Sequence, residues 1–245
     1  MSSVAAMWHH LISLCLLANL ALCGPVQAQA DQSQFDLRLG SITVARLFLA
    51  ANDDGRGYAV AGRAESTGMV SLFRALRLDM SARGTWNGTR PQPQSYVEDI
   101  DTGRRASAVT MRWQSGRPVV DASTGLDPTL AAAADGTTGT VDPLSAVYTV
   151  ARPRSAEELC DWQLGVFDGQ RRSQLTLLIA EGRENAIICR GNYTRLAGFA
   201  PHEMAERTEF PFTVTYIPGE DGLWLLHQID LQSIYGRVRI NRAEP

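Results

Sequence analysis

The 245-residue sequence contains no lysine; all 23 of its basic residues are arginine. Without a lysine amine there is no Schiff-base chemistry, and no nucleotide loop that sets a lysine on phosphates. The arginines are scattered from Arg38 to Arg242, which reads as a compositional bias rather than a phosphate-recognising patch. Positive charge is not in excess: a formal net charge of −3 gives no electrostatic footprint for nucleic acid. Histidine is scarce, with only His9, His10, His202 and His227, and no H-E-x-x-H or comparable metal-ligand spacing occurs. No apolar run reaches the roughly 18 residues of a membrane-spanning helix. What is present, 44% hydrophobic and 20% charged residues, is ordinary for a globular chain and excludes a disordered or collagen-like one.

The amino terminus reads as a secretory leader. The apolar run Leu11 to Cys23 is too short to cross a bilayer, and the small-x-small triplet Ala28-Gln29-Ala30 follows it. Cleavage after Ala30 leaves a mature chain from Asp31, long enough for one large domain or two small ones. The region ahead of the apolar run lacks Arg and Lys, so Met7 is an alternative start. Cys23 does not mark a lipid anchor, because Leu22 before it is not small. The mature chain is expected to be soluble and periplasmic, with no transmembrane segment.

Cys15 and Cys23 leave with the leader, and Cys160 and Cys189 remain. An even pair in an exported chain reads as one disulfide, closing a loop of about 30 residues and worth roughly 3–4 kcal/mol. The alternative, a redox or metal pair, needs C-x-x-C or zinc spacing that this pair lacks.

Along the mature chain the hydrophobic period is mostly two. Phe35, Leu37 and Leu39 alternate with Asp36 and Arg38; Gly40 interrupts as a bulge or bend, and Ile42, Val44 and Leu47 to Leu49 continue. Further strands are predicted at Tyr58–Glu65, Leu78–Trp86, Ser95–Ile100, Ala106–Trp113, Pro118–Ala122, Cys160–Phe167, Arg171–Ala180, Glu184–Leu196, Phe210–Ile217, Leu223–Leu231 and Ser233–Arg242. Turn signals lie at Asp53-Asp54-Gly55, Asp101-Thr102-Gly103 and Asp168-Gly169. Met69 to Leu76 reads as a short helix. A second opens at Asp142-Pro143, a good N-cap before a first-turn proline, with Leu144, Val147 and Tyr148 on one face. Asp127 to Val141, rich in Ala, Gly and Thr, reads as a mobile loop and a candidate lid. The fold class expected is all-β: one domain over 31–245, an antiparallel barrel-like or spiral sheet of about eleven short strands with one or two short helices.

Three blocks then stand out in order: Phe35-Asp36-Leu37-Arg38-Leu39-Gly40-Ser41-Ile42, the Asp-x-x-Ser-x-x-Tyr stretch Asp142 to Tyr148, and Cys189-Arg190-Gly191-Asn192-Tyr193-Thr194-Arg195 with Gly198-Phe199. Together they resemble the Domain of Unknown Function 3108 family. The resemblance covers nearly the whole mature chain. It implies an exported, periplasmic bacterial protein with a strand-rich barrel-like or spiral sheet, an opening strand kinked at Gly40, and no transferable catalytic residues. The chain is also similar, more loosely, to disulfide-bearing periplasmic β-spiral proteins linked to envelope integrity.

Candidate chemistry is thin. His227 shares a strand face with Leu225 and Ile229, which suits a core or rim position as well as a ligand. His202 lies in the Pro201-His202-Glu203 loop. Ser145 lacks a G-x-S-x-G elbow, and its place near a helix start suits capping. Glu98, Asp99 and Asp101 crowd one hairpin, where a solvated turn competes with a hydrolytic carboxylate pair. Gly136 to Gly139 has no lysine after it to make a phosphate cradle. Trp86, Trp113, Trp162 and Trp224 read as core or rim anchors.

The leading reading is a non-enzymatic periplasmic protein that binds or supports a cell-envelope component, with an apolar or lipid guest inside the barrel. The apolar face expected to line it comprises Leu37, Leu39, Ile42, Val44, Leu223, Leu225 and Ile229. No cofactor, metal or nucleic acid is expected, and the site residues expected are the disulfide pair Cys160 and Cys189. The alternatives are an envelope-directed hydrolase using His227 or the Glu98–Asp101 carboxylates, and a purely structural interaction module. An open apolar pocket favours the carrier, a filled interior the module, and a cleft joining His227 to a carboxylate the enzyme.

Overall fold

The computed structural model describes residues 31–68, 76–103, 106–130, 136–233 and 236–243. The leader and all but the last residue of the Met69–Leu76 helix lie outside them.

The strands are β1 (Asp31–Leu39), β2 (Ile42–Asp53), β3 (Gly57–Ser66), β4 (Arg77–Asn87), β5 (Arg90–Asp101), β6 (Ala106–Gln114), β7 (Arg117–Thr124), β8 (Trp162–Phe167), β9 (Arg172–Arg183), β10 (Ala186–Ala197), β11 (Glu209–Pro218), β12 (Trp224–Ser233) and β13 (Gly236–Arg242). Helix α1 (Pro143–Ala151) lies between β7 and β8, and α2 (Pro201–Glu206) between β10 and β11. All the strands form one antiparallel sheet in the order β7-β6-β5-β4-β3-β2-β1-β13-β12-β11-β10-β9-β8. Two meanders thus meet where the first strand pairs with the last, and the sheet curls into a nearly closed barrel.

The seam lies between β7 and β8. Part of it is bridged by the segment before α1: the Gly139 N–H bonds the Gly116 carbonyl at 2.8 Å, and Val141 exchanges backbone bonds with β8 through Gly165 and Phe167 at 2.8 and 2.9 Å. Thr140 and Val141 are buried there. The end of the Asp127–Val141 stretch is therefore a seam closure rather than a loose loop.

Several sequence expectations are corrected by pairing geometry. The described residues form thirteen strands rather than about eleven. Gly40 is not a kink within one strand: Gly40 and Ser41 form the two-residue turn between β1 and β2. Strand β5 starts at Arg90, not Ser95, despite Pro91 and Pro93. Those prolines pair only with β4, while β6 begins its pairing at Ser95, so the missing N–H groups leave no ladder bond unmade. Cys160 sits in a bend ahead of β8 instead of in a strand. His202 belongs to α2, not to a loop, and is exposed.

Two bulges re-aim the expected apolar face. Leu37 pairs with Ala45 and Arg38 with Thr43, which displaces Val44. Ala45, Leu47, Leu49 and Ala51 continue the inner face, and Ile42 is 63% exposed. In β12, Leu226 pairs with Tyr216 and Gln228 with Thr215, so His227 is the extra residue of a bulge. The inward set there is Leu226, Ile229 and Leu231; Leu223 and His227 are exposed.

Candidate ligand cavity and the polar network beside it

Helix α1 runs inside the barrel and touches β3, β4, β5, β8 and β12. Its sequence is apolar almost all round, as burial on every side requires. Asp142 caps it, accepting the Ser145 N–H at 2.7 Å, and Pro143 occupies the first turn. Leu144, Ser145 and Tyr148 turn toward β3–β5 and fill that half of the interior with Tyr58, Val60, Tyr96 and Met111. Pro143, Ala146, Val147 and Val150, at i, i+3, i+4 and i+7, face the other way. Val147 therefore does not share a face with Leu144 and Tyr148 as the sequence suggested.

Opposite that stripe lies an open cavity of about 610 Å³. Phe35, Leu49, Leu175, Phe212, Leu226 and Ile229 supply much of its apolar wall. Val147 is 40% exposed although it sits on a helix inside the barrel, because its side chain faces this space. Arg171, Arg195 and Glu203 supply the charges of the lining. The Arg195 Nη1 donates to the Glu203 and Arg207 carbonyls at 2.6 and 3.0 Å, which ties α2 to the cavity. The rings of Phe199 and Phe210 lie 5.3 and 4.8 Å from the Arg195 guanidinium carbon. The volume falls within the range of small-molecule sites, about 300–1,000 Å³.

The inner face of β10 explains one of the sequence blocks. Cys189, Gly191 and Tyr193 are alternate residues and point inward together. Cys189 forms the disulfide with Cys160 (Cα–Cα 5.8 Å), tying the segment after α1 to the sheet two strands from β8. Gly191 faces Phe212, whose ring lies where a Cβ would be, so only glycine lets this ring lie flat on the wall. Tyr193 lines the cavity, and burial pushes its hydroxyl pKa up. Gly198 has φ +78°, with the Gln170 carbonyl where a side chain would begin, and so sets Phe199 beside the cavity.

The Asp142–Tyr148 block builds a buried polar network rather than a reactive centre. Ser145 Oγ donates to Asp142 Oδ2 at 2.6 Å, so the Tyr58 hydroxyl is the donor in its 2.7 Å bond to Ser145. Burial raises the Asp142 carboxyl to about 6, against the opposing pull of the Ser145 hydrogen bonds, and burial also pushes Tyr58 up. Tyr148 reaches Asp53 Oδ2 at 3.0 Å; Trp86 Nε1 donates to the same carboxylate, and Arg152 stacks over Trp86 at 4.0 Å. Asp142 and Ser145 are fully buried, so no substrate reaches the hydroxyl.

The hydrolytic candidates do not converge. Glu98 is buried and accepts from the Tyr96 hydroxyl. On the opposite face, Asp99 pairs with Arg77 at 3.1 Å, and Asp101 caps the turn through the Gly103 N–H at 2.8 Å. The expected solvated turn therefore holds for Asp99 and Asp101 but not for Glu98. His227 is exposed on its bulge, away from these groups. Among the described residues, no group of three or more His, Cys, Asp or Glu is placed to hold a metal ion, and no helix is long and apolar enough to cross a membrane. Trp113 and Trp162 act as anchors, donating to the Thr140 and Leu159 carbonyls at 2.9 and 3.0 Å. Nothing in local spacing marks Arg171, Arg195 and Phe210 as cavity residues, because they lie on three segments that meet only in the folded sheet.

These features define a class: a nearly closed antiparallel β-barrel, entered by its own helix and keeping an apolar cavity beside it. The chain belongs to the family described as "Protein of unknown function (DUF3108)", whose model matches residues 34–202, from β1 into α2. Among solved structures it is similar to a β-barrel-like protein of Domain of Unknown Function DUF1849 from Brucella abortus, at 11% identity and a TM-score of 0.48, over 89% of this chain and 98% of that one. No curated protein matches the chain.

Proposed function

We propose that the protein is a non-enzymatic carrier, exported to the periplasm, that holds an apolar or lipid component of the cell envelope inside its barrel. The leader is residues 1–30, removed after Ala30, and residues 31–245 act as one domain. The open apolar cavity beside α1 carries this reading. A side chain as apolar as Val147 gains about 25 cal/mol per Å² when a guest takes its surface out of water. The disulfide fits an oxidising compartment.

The test is native mass spectrometry, with lipid extraction, of protein purified from the periplasm, followed by uptake of the fluorescent apolar probe N-phenyl-1-naphthylamine. Wild type is expected to carry an extractable apolar guest, or to take up the probe once stripped. Val147→Trp, which puts an indole into open space, is expected to lose both with little change in stability. A wild-type protein that carries no guest and takes up no probe overturns the proposal, as does equal binding by Val147→Trp. The amino terminus of the same material is expected at Asp31; an intact leader on a cytosolic protein overturns export.

A further inference from the structure

Resting on the cavity reading above, we propose that the guest is an anionic amphiphile, its alkyl chain in the cavity and its carboxylate or phosphate head held by Arg171 and Arg195. Of the lining side chains, only those of Arg171, Arg195, Glu203 and Tyr193 carry polar atoms, so the polar end of a guest has few places to go. Arg171 and Arg195 flank one ring: their guanidinium carbons lie 5.4 and 5.3 Å from the centre of Phe199. Two cations gathered at one aromatic repel each other unless an anion lies near both.

Neither arginine has a carboxylate within ion-pair distance among the described residues. The acceptors of Arg195 are the neutral carbonyls of Glu203 and Arg207 rather than a carboxylate. The Nε of Arg171 is buried and has no hydrogen-bond partner there. A buried donor left unmade is costly, and an anionic oxygen is the acceptor that repays it best. The neighbouring carboxylates accept backbone N–H groups and not the two guanidinium groups. Glu203 Oε2 accepts the Ala200 N–H at 2.9 Å, and Asp168 Oδ1 accepts the Gln170 and Arg171 N–H groups at 2.9 and 2.6 Å. Arg207, 5.0 Å from the Phe210 ring centre, adds a third cation close by. Guanidinium forks suit the two oxygens of a carboxylate or phosphate.

The test is calorimetric titration of the stripped full-length mature protein with three ligands sharing one chain length: hexadecanoate, palmitoyl-lysophosphatidylglycerol and hexadecanol. At least one anion is expected to bind about tenfold or more tighter than hexadecanol, and which anion wins identifies the head as carboxylate or phosphate. Arg171→Gln is expected to bring the preferred anion to within about twofold of hexadecanol, both measured on the same variant. Equal binding of all three by wild type overturns this inference and leaves the carrier reading standing. Binding of none overturns both. A preference that survives both Arg171→Gln and Arg195→Gln overturns the assignment to these two residues.

Discussion

Tyr58 and Ser145 lie 87 residues apart in sequence, yet their hydroxyls meet at 2.7 Å inside the barrel. The bond joins β3 to the internal helix, and it continues through Ser145 to Asp142. Ser145→Ala strips a donor from Asp142 and an acceptor from Tyr58 in a dry interior. It is expected to cost about 2–3 kcal/mol in urea unfolding. Because Ser145 faces away from the cavity, binding of the apolar probe by the folded variant is expected to stay within about twofold. A Ser145→Ala protein of full stability that loses binding would instead place Ser145 in the site.

Asp142 makes stability depend on pH. Its carboxyl rises from 3.8 to about 6 on folding because burial disfavours the charge. The folded state therefore binds the proton more tightly than the unfolded chain. The favourable contribution is full below about pH 4 and is lost as pH rises through 6. Asp142→Asn has no such proton. The stability of wild type relative to this variant is expected to fall by on the order of 2 kcal/mol between pH 4 and pH 7. Urea melts of both proteins across that range check it; a difference independent of pH contradicts the assignment.

The Cys160–Cys189 bond is expected to leave no thiol that can be labelled after denaturation without reductant, provided the leader and its two cysteines have been removed. Reduction, or Cys189→Ala, is expected to lower stability by roughly 3–4 kcal/mol. Cys160 follows directly on the segment that carries α1, so this loss should be accompanied by weaker probe binding. Unchanged stability on reduction would refute the role.

Much of the barrel was legible from alternation, because a strand with one buried face must repeat every two residues. Asp53-Asp54-Gly55 and Asp101-Thr102-Gly103 announced their hairpins because aspartate and glycine supply what tight turns need. The helix start at Asp142-Pro143 was equally plain. Alternation failed where a bulge added a residue: His227 and Leu225 read as inward because nothing in Leu223 to Leu231 reveals that Gln228, not His227, opposes Thr215. It failed again at Gly40, where a hairpin turn reads like a strand interruption. The cavity itself was reachable only as a possibility. Its arginines, Arg171 and Arg195, come from the turn before β9 and from β10, and no local pattern tells which arginine finds a carboxylate and which does not.

Gly191 offers the most direct test of how the wall of the cavity is made. Its hydrogen lies under the Phe212 ring, its partner across the β10–β11 pair, and that ring forms part of the cavity surface. A methyl at this position cannot be absorbed by a flexible chain end, because the atoms it meets are the ring itself. Gly191→Ala must therefore tilt Phe212 off the wall and into the cavity, at a cost of about 1–3 kcal/mol for overpacking. Two readouts should move together: the urea midpoint falls, and apolar-probe affinity falls by more than the stability loss explains. The double variant Gly191→Ala with Phe212→Leu removes the ring and is expected to recover most of the probe binding. A Gly191→Ala protein with wild-type affinity would show that Phe212 does not bound the space the guest occupies.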